Sequence, residues 1–145
     1  MACTPLGQAT LLIETLELME EFEAEPSTNY GRALQNVGMA TMIQGDPLEA
    51  IAWFERASVV FADKGDEAAF DRARTDTALT RAAERAGQFH RALDYGRRAS
   101  EGLDASGADA DDPIRRYLQG LLRQVCENPT FQPPPARCDR ILAVP

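Results

Sequence analysis

The strongest constraint on the fold is that the chain repeats itself at an offset of 42 residues. Gly45 falls on Gly87, Ala50 on Ala92, Ile51 on Leu93, Ala57 on Ala99 and Ser58 on Ser100, while Val37 falls on Leu79 and then on Leu121. At the same offset Thr4-Pro5-Leu6 falls on Asp46-Pro47-Leu48. A fixed period of this size marks stacked supersecondary units, each burying its apolar face on the next. Small residues one or two turns apart let two antiparallel helices approach closely, and a glycine at the turn supplies a positive φ. Large apolar residues then fill the groove made with the next pair.

Local signals make every unit helical. Ala, Leu, Glu and Arg dominate, and no stretch alternates with period two. Thr4-Pro5 reads as a cap followed by proline at the first helical position, where the missing N–H costs nothing. It opens a helix over about 5–23, stopped by Pro26. Ser27 or Thr28 caps a helix over 28–44, which Gly45 ends. Asp46-Pro47-Leu48-Glu49 opens a third over 47–63. Gly65 closes it and Asp66 caps a fourth over 67–86; Gly87 leads into a fifth over 88–104. Residues 104–112 read as a loop, Asp112-Pro113 caps a sixth helix over 113–127, and a last turn near 137–143 follows the Pro133-Pro134-Pro135 run.

Composition narrows the function. The 145 residues carry a net charge of −8, which disfavours nucleic acid and anionic membrane surfaces as partners. No apolar run approaches a membrane span, and the first 25 residues lack a basic region, so a cytoplasmic protein without a secretory signal is expected. Reduced thiols are the default in that setting; Cys126 and Cys138 stand near enough in sequence to meet, which spacing alone does not decide. Cys3, Cys126, Cys138 and the single His90 show no zinc spacing, and no phosphate loop or acid–base constellation is present, so no cofactor, no metal and no enzymatic activity are expected. Cys126 reads as a small buried hydrophobe and His90 as a surface residue. Charge is segregated: residues 1–25 hold six glutamates and no basic residue, and residues 113–145 hold five arginines against Glu127 and Asp139. This is either two solvated faces or the basis of head-to-tail contact between copies.

Val37-Gly38-Met39-Ala40, then Gln44-Gly45-Asp46, then Glu49-Ala50-Ile51-Ala52-Trp53-Phe54-Glu55-Arg56-Ala57 resembles a tetratricopeptide repeat. Gly38, the Gly-Asp turn, Ala50, Phe54 and Ala57 carry the likeness; Leu79, Ala82, Gly87, Phe89, Ala92 and Ala99 carry a weaker second copy. Gly96 stands where the family prefers an aromatic, Thr80 where it prefers Gly or Ala, and the family's proline after the second helix is absent from both. The 42-residue period is similar to the long-helix variant seen in kinesin light chains and in bacterial regulators. The resemblance implies an all-α fold of about six helices: antiparallel hairpins stacked as a short right-handed α-solenoid. It would form one domain over 1–127, built from a half repeat (5–23), two repeats (28–63 and 67–104) and a half repeat (113–127), with a Pro-rich tail at 128–145.

The family binds peptides in a groove lined by its first helices. In that register Arg32, Arg74 and Arg116 are equivalent, with Met39, Arg81 and Arg123 two turns further on and Arg85 on the same face. Two readings of the arginines stand: bidentate recognition of an acidic segment or C-terminal carboxylate, or a purely structural role in which they pair with Asp71, Asp76 and Glu84 or are simply solvated. Met39, Met42 and Ile43 are either core or an adaptable apolar patch of the same groove. Trp53, beside the core residue Phe54, is a further candidate contact. Gln35 and Met39 occupy places where the family's chaperone-type carboxylate clamp needs other residues. The expected function is a non-enzymatic adaptor for a protein or peptide, with self-association through the end helices as a further option. The alternatives are a small acidic secretion-type chaperone and a regulatory peptide sensor.

Overall fold

Caps and glycines cut the chain into helices. Ser27 Oγ accepts from Tyr30 N, Asp46 from Glu49 N and Asp112 from Ile114 N, and prolines stand at the first helical position after Asp46 and Asp112. At Gly45 (φ 89°) and Gly87 (φ 73°) the chain turns out of a helix through paired backbone bonds, Asp46 N to Thr41 O and Gln88 N to Ala83 O. The computed structural model describes residues 5–22 and 25–145. Its helices are α1 (Pro5–Phe22), α2 (Thr28–Ile43), α3 (Pro47–Asp63), α4 (Ala69–Arg85), α5 (Phe89–Ala105), α6 (Pro113–Glu127) and α7 (Cys138–Ala143). The expected Thr4 cap and Cys3 lie outside the described residues.

The start of α4 differs from the sequence reading by two residues, more than any other. Gly65–Ala68 forms a 3-10 turn, and α4 begins at Ala69 without a side-chain cap. Ala68 is fully buried in the cluster around Phe61 and Leu34, so packing rather than the Asp66 side chain sets the chain's path there.

The helices pack in sequence order as antiparallel hairpins, α2 with α3 and α4 with α5, with α1 before them and α6 behind. Among the described residues there is no strand, and no helix is long and apolar enough to cross a membrane. The first hairpin is set by two glycines. A Cβ on Gly38 would stand 2.6 Å from the Phe54 ring, and one on Gly31 2.6 Å from the Phe61 ring. Both pairs are seven residues apart and run in opposite directions, so two fully buried rings sit in two backbone notches. The second hairpin lacks these aromatics and closes on alanines: Ala73, Ala82, Ala83, Ala92 and Ala99 are fully buried. Gly96, the departure from the family pattern, receives Leu122 from α6.

Alternate helices are also tied by repeated polar triads. Tyr30 Oη donates to Glu20 (2.7 Å), and Arg56 donates to both at 3.0 and 3.1 Å. Thirty-five residues further on, Arg91 spans to Glu55 (3.0 Å) and Tyr95 (2.7 Å), and Tyr95 donates to Glu55. Burial first, then the hydrogen bond to Glu55, pushes the Tyr95 phenol up to about 12, with Arg91 opposing.

The tail stands where a partner for α6 would stand. Phe131 is buried and packs on Phe89 and edge-on to His90, with ring centroids at 5.1 and 4.9 Å. Arg137 reaches Asp94 (2.6 Å) and the His90 carbonyl (3.0 Å). Cys126 and Cys138 are both buried and joined in a disulfide, Cα–Cα 5.7 Å. This corrects the expectation of reduced thiols: the tail brings Cys138 against the end of α6, a proximity that a twelve-residue separation leaves open.

Two outcomes are expected. Gly38→Ala forces the enclosed Phe54 ring to move and costs about 1–3 kcal/mol of overpacking against at most about 1 kcal/mol of helix propensity gained, a lowered urea midpoint that Phe54→Leu in the same chain partly restores. A phenol raised in the fold stabilises it fully below its unfolded value near 10 and loses that contribution as pH climbs through about 12. The stability of wild type therefore falls more steeply across that window than that of Tyr95→Phe, measured by denaturant titration at successive alkaline pH values.

Candidate functional site

The first helices α2, α4 and α6 line a cleft of about 510 Å³ on one side of the stack. Its floor reaches Phe54 in the core, and its walls are Met39, Met42 and Ile43 of α2, Arg74, Thr77, Ala78 and Arg85 of α4, and Ile114 and Tyr117 of α6. None of the lining residues is acidic. The methionine group divides by burial: Met42 is buried and packs in the core, whereas Met39 and Ile43 are 47% and 66% exposed at the rim. Tyr117, half exposed, faces them across the cleft.

The arginines divide by what they touch. Nine of the fourteen form ion pairs. The innermost pair is Arg98 with Asp76 (2.5 Å), a carboxylate 1% exposed that also accepts from Ser58 Oγ (3.0 Å), so one charge links α3, α4 and α5. Arg74, Arg81, Arg85, Arg116 and Arg140 form no hydrogen bond or ion pair among the described residues. Arg74 and Arg85 are exposed in the cleft, eleven residues apart on one helix face, which is roughly 16 Å along the axis.

Of the residues singled out from the sequence, the structure therefore brings together Met39, Met42, Ile43, Arg74 and Arg85. Arg32 is held by Asp71 (2.9 Å), the pairing weighed as its alternative. Arg81 is half-buried on α4 and does not line the cleft. Trp53 packs against the cluster around Leu16 and Phe61, with Arg56 over its ring at 5.0 Å. Arg116 and Arg123 turn to the other side of α6, where they line a second cleft with Arg140 of α7. The single six-arginine groove is thus corrected to two sites. Leu122 seated on Gly96 fixes the rotation of α6, which shows Ile114 and Tyr117 to the first cleft and Arg116 and Arg123 to the second.

Tyr117 and Ile114 were not singled out from the sequence. At the repeat offset Tyr117 aligns with Thr75 and Ala33, which are packed, so the register places it inside; only the terminal position of α6 exposes it. Among the described residues no group of three His, Cys, Asp or Glu side chains gathers as a metal site. The chain matches no family model and no curated protein.

The division of the arginines is testable by stability alone. Arg98→Met leaves the Asp76 carboxylate buried beside Ser58 and a distant Arg72, and is expected to cost about 3 kcal/mol, the low end for a broken buried pair because Arg98 is itself partly exposed. Arg74→Ser and Arg85→Ser, which remove no contact, should each stay within about 0.5 kcal/mol of wild type in the same urea titration.

Proposed function

We propose that the chain is a non-enzymatic interaction module of the tetratricopeptide-repeat type, and that its cleft between α2, α4 and α6 docks an acidic segment of a partner protein. The observation that carries this reading is the pair Arg74 and Arg85: in a chain of net charge −8, two guanidiniums of α4 with no partner among the described residues stand beside an apolar floor with no carboxylate among the lining. An exposed unpaired arginine offers a fork for a carboxylate at little desolvation cost. The roughly 16 Å between the two is spanned by about five extended residues. The occupant is therefore a short segment with an acidic residue near each end and an apolar side chain between them, seated against Met39, Ile43 and Tyr117. Met39 adapts to the shape of that side chain, and Tyr117 gives contact area at small entropic cost.

A buried disulfide persists mainly in oxidising surroundings, which favours such a setting for the module over the cytoplasmic placement expected from the sequence.

The test is fluorescence anisotropy with labelled five- to eight-residue peptides carrying two glutamates around a central leucine or phenylalanine. Binding should weaken with added salt, and fall about tenfold or more for Arg74→Glu, for Arg85→Glu, and for a peptide with glutamine in place of glutamate. Equal binding of the glutamine peptide, or binding unchanged by both arginine reversals, overturns the reading.

A further inference from the structure

We infer that this chain binds a second copy of itself head to tail, with the exposed face of α1 entering the arginine-rimmed cleft between α6 and α7 of the next molecule. The first surface is an apolar strip. Leu11, Leu18 and Phe22 recur at seven and four residues, so they share one face of α1, and they are 59%, 56% and 78% exposed. The face opposite, with Ala9 and Leu16, is the one buried on α2 and α3. Glu14 lies three residues from Leu11 and four from Leu18, and Glu21 three beyond Leu18, so the strip carries carboxylates at its edge. The first basic residue of the chain is Arg32.

The second surface complements it in shape and in charge. Between α6 and α7 lies a cleft of about 390 Å³ walled by Leu122, Ile141 and Val144 and rimmed by Arg116, Arg123 and Arg140. Arg123 is held by Glu127 and by the backbone carbonyls of Leu142 and Val144, while Arg116 and Arg140 have no partner among the described residues. Phe22 and Leu18 fit the apolar wall, and Glu14 and Glu21 then meet Arg116 and Arg140. The two surfaces terminate the helix stack at its opposite ends, where a further repeat would sit, so the contact continues the stacking from one molecule into the next. An α1-to-α1 contact would instead set Glu14 and Glu21 against their own copies. The arrangement is heterologous, so every assembly keeps one free α1 face and one free cleft, and growth continues with concentration.

Sedimentation velocity over micromolar to millimolar protein tests this. The weight-average mass of wild type should climb with concentration at low salt and fall back as salt is added. Leu18→Ser with Phe22→Ser should weaken association about 30-fold, and Arg116→Glu with Arg140→Glu should abolish it. All four side chains are exposed, and circular dichroism confirms that the variants fold. The deciding sample is an equimolar mixture of the two variants, each blocked at one end: it should give dimers and nothing larger. A wild type that stays monomeric throughout, a mixture that forms no dimer, or arginine variants that dimerise by themselves through α1 would each overturn the inference. None of these positions lies in the α2–α4–α6 cleft, so peptide binding there stands or falls separately.

Discussion

A phenylalanine ring seated in a glycine notch sets the spacing on which the rest of the stack depends. Phe54 on Gly38 and Phe61 on Gly31 bring α2 and α3 together along their whole length, and each ring is fully buried by doing so. Burying one such side chain contributes about 1.5–3 kcal/mol, but only if the opposing backbone admits it. The second hairpin moves the notch to the other partner. Its interior is mostly alanine on alanine, with Gly102 against Ala73, and Gly96 opens outward to receive Leu122. One device thus serves twice, first inside a hairpin and then between a hairpin and the next helix. The second use decides how α6 is rotated, and that rotation divides the arginines of α6 from those of α4.

Charge then fixes which helix follows which. Hydrophobic contact between alanine-rich faces is tolerant of sliding, whereas a buried carboxylate is not. Asp76 finds its partners only where Ser58 and Arg98 meet it, so α3, α4 and α5 have one register in which that charge is satisfied. The triads Glu20–Tyr30–Arg56 and Glu55–Tyr95–Arg91 repeat the same logic at the surface, where each pair alone is worth little but the tyrosine gives it a partly buried member. The arginines that take part in these links are spent on the fold. Those left over are concentrated in the two clefts.

Most of the helical frame was legible because it is written in local chemistry: proline after an Asp cap, glycine after the last turn, a period of 42. The bounds of α3 and α6 agree with the sequence reading, and most of the others fall within a residue of it. Where the reading failed, a tertiary contact overrode a local rule. Ala68 draws the start of α4 into a 3-10 turn, and the meeting of Cys126 with Cys138 depends on how the proline run folds back, which no spacing encodes. The site was half legible for the same reason. Arg74 and Met39 follow the repeat register and Arg85 shares a helix face with Arg74, and all three line the first cleft. Arg116, Arg123 and Tyr117 follow it too, but the register assumes a full neighbour behind α6, and there the neighbour is a tail.

That tail gives the stack two unlike ends. At the C-terminal end Phe131, Cys138 and Ile141 fill the space behind α5 and α6, and Arg137 pins the segment to Asp94 and His90. The apolar face that a repeat array leaves open is there largely closed, and what remains on view is a small cleft with a basic rim. At the other end α1 covers α2 and α3, and among the described residues Leu11, Leu18 and Phe22 of α1 face outward among glutamates. A terminal repeat made for solubility carries a polar outer face. The outer face of α1 is largely apolar, interrupted by Thr15 and edged by glutamates, and its sign is opposite to that of the far end. The asymmetry is therefore in the packing as well as in the sequence: one end is shaped as a socket and the other as a ridge.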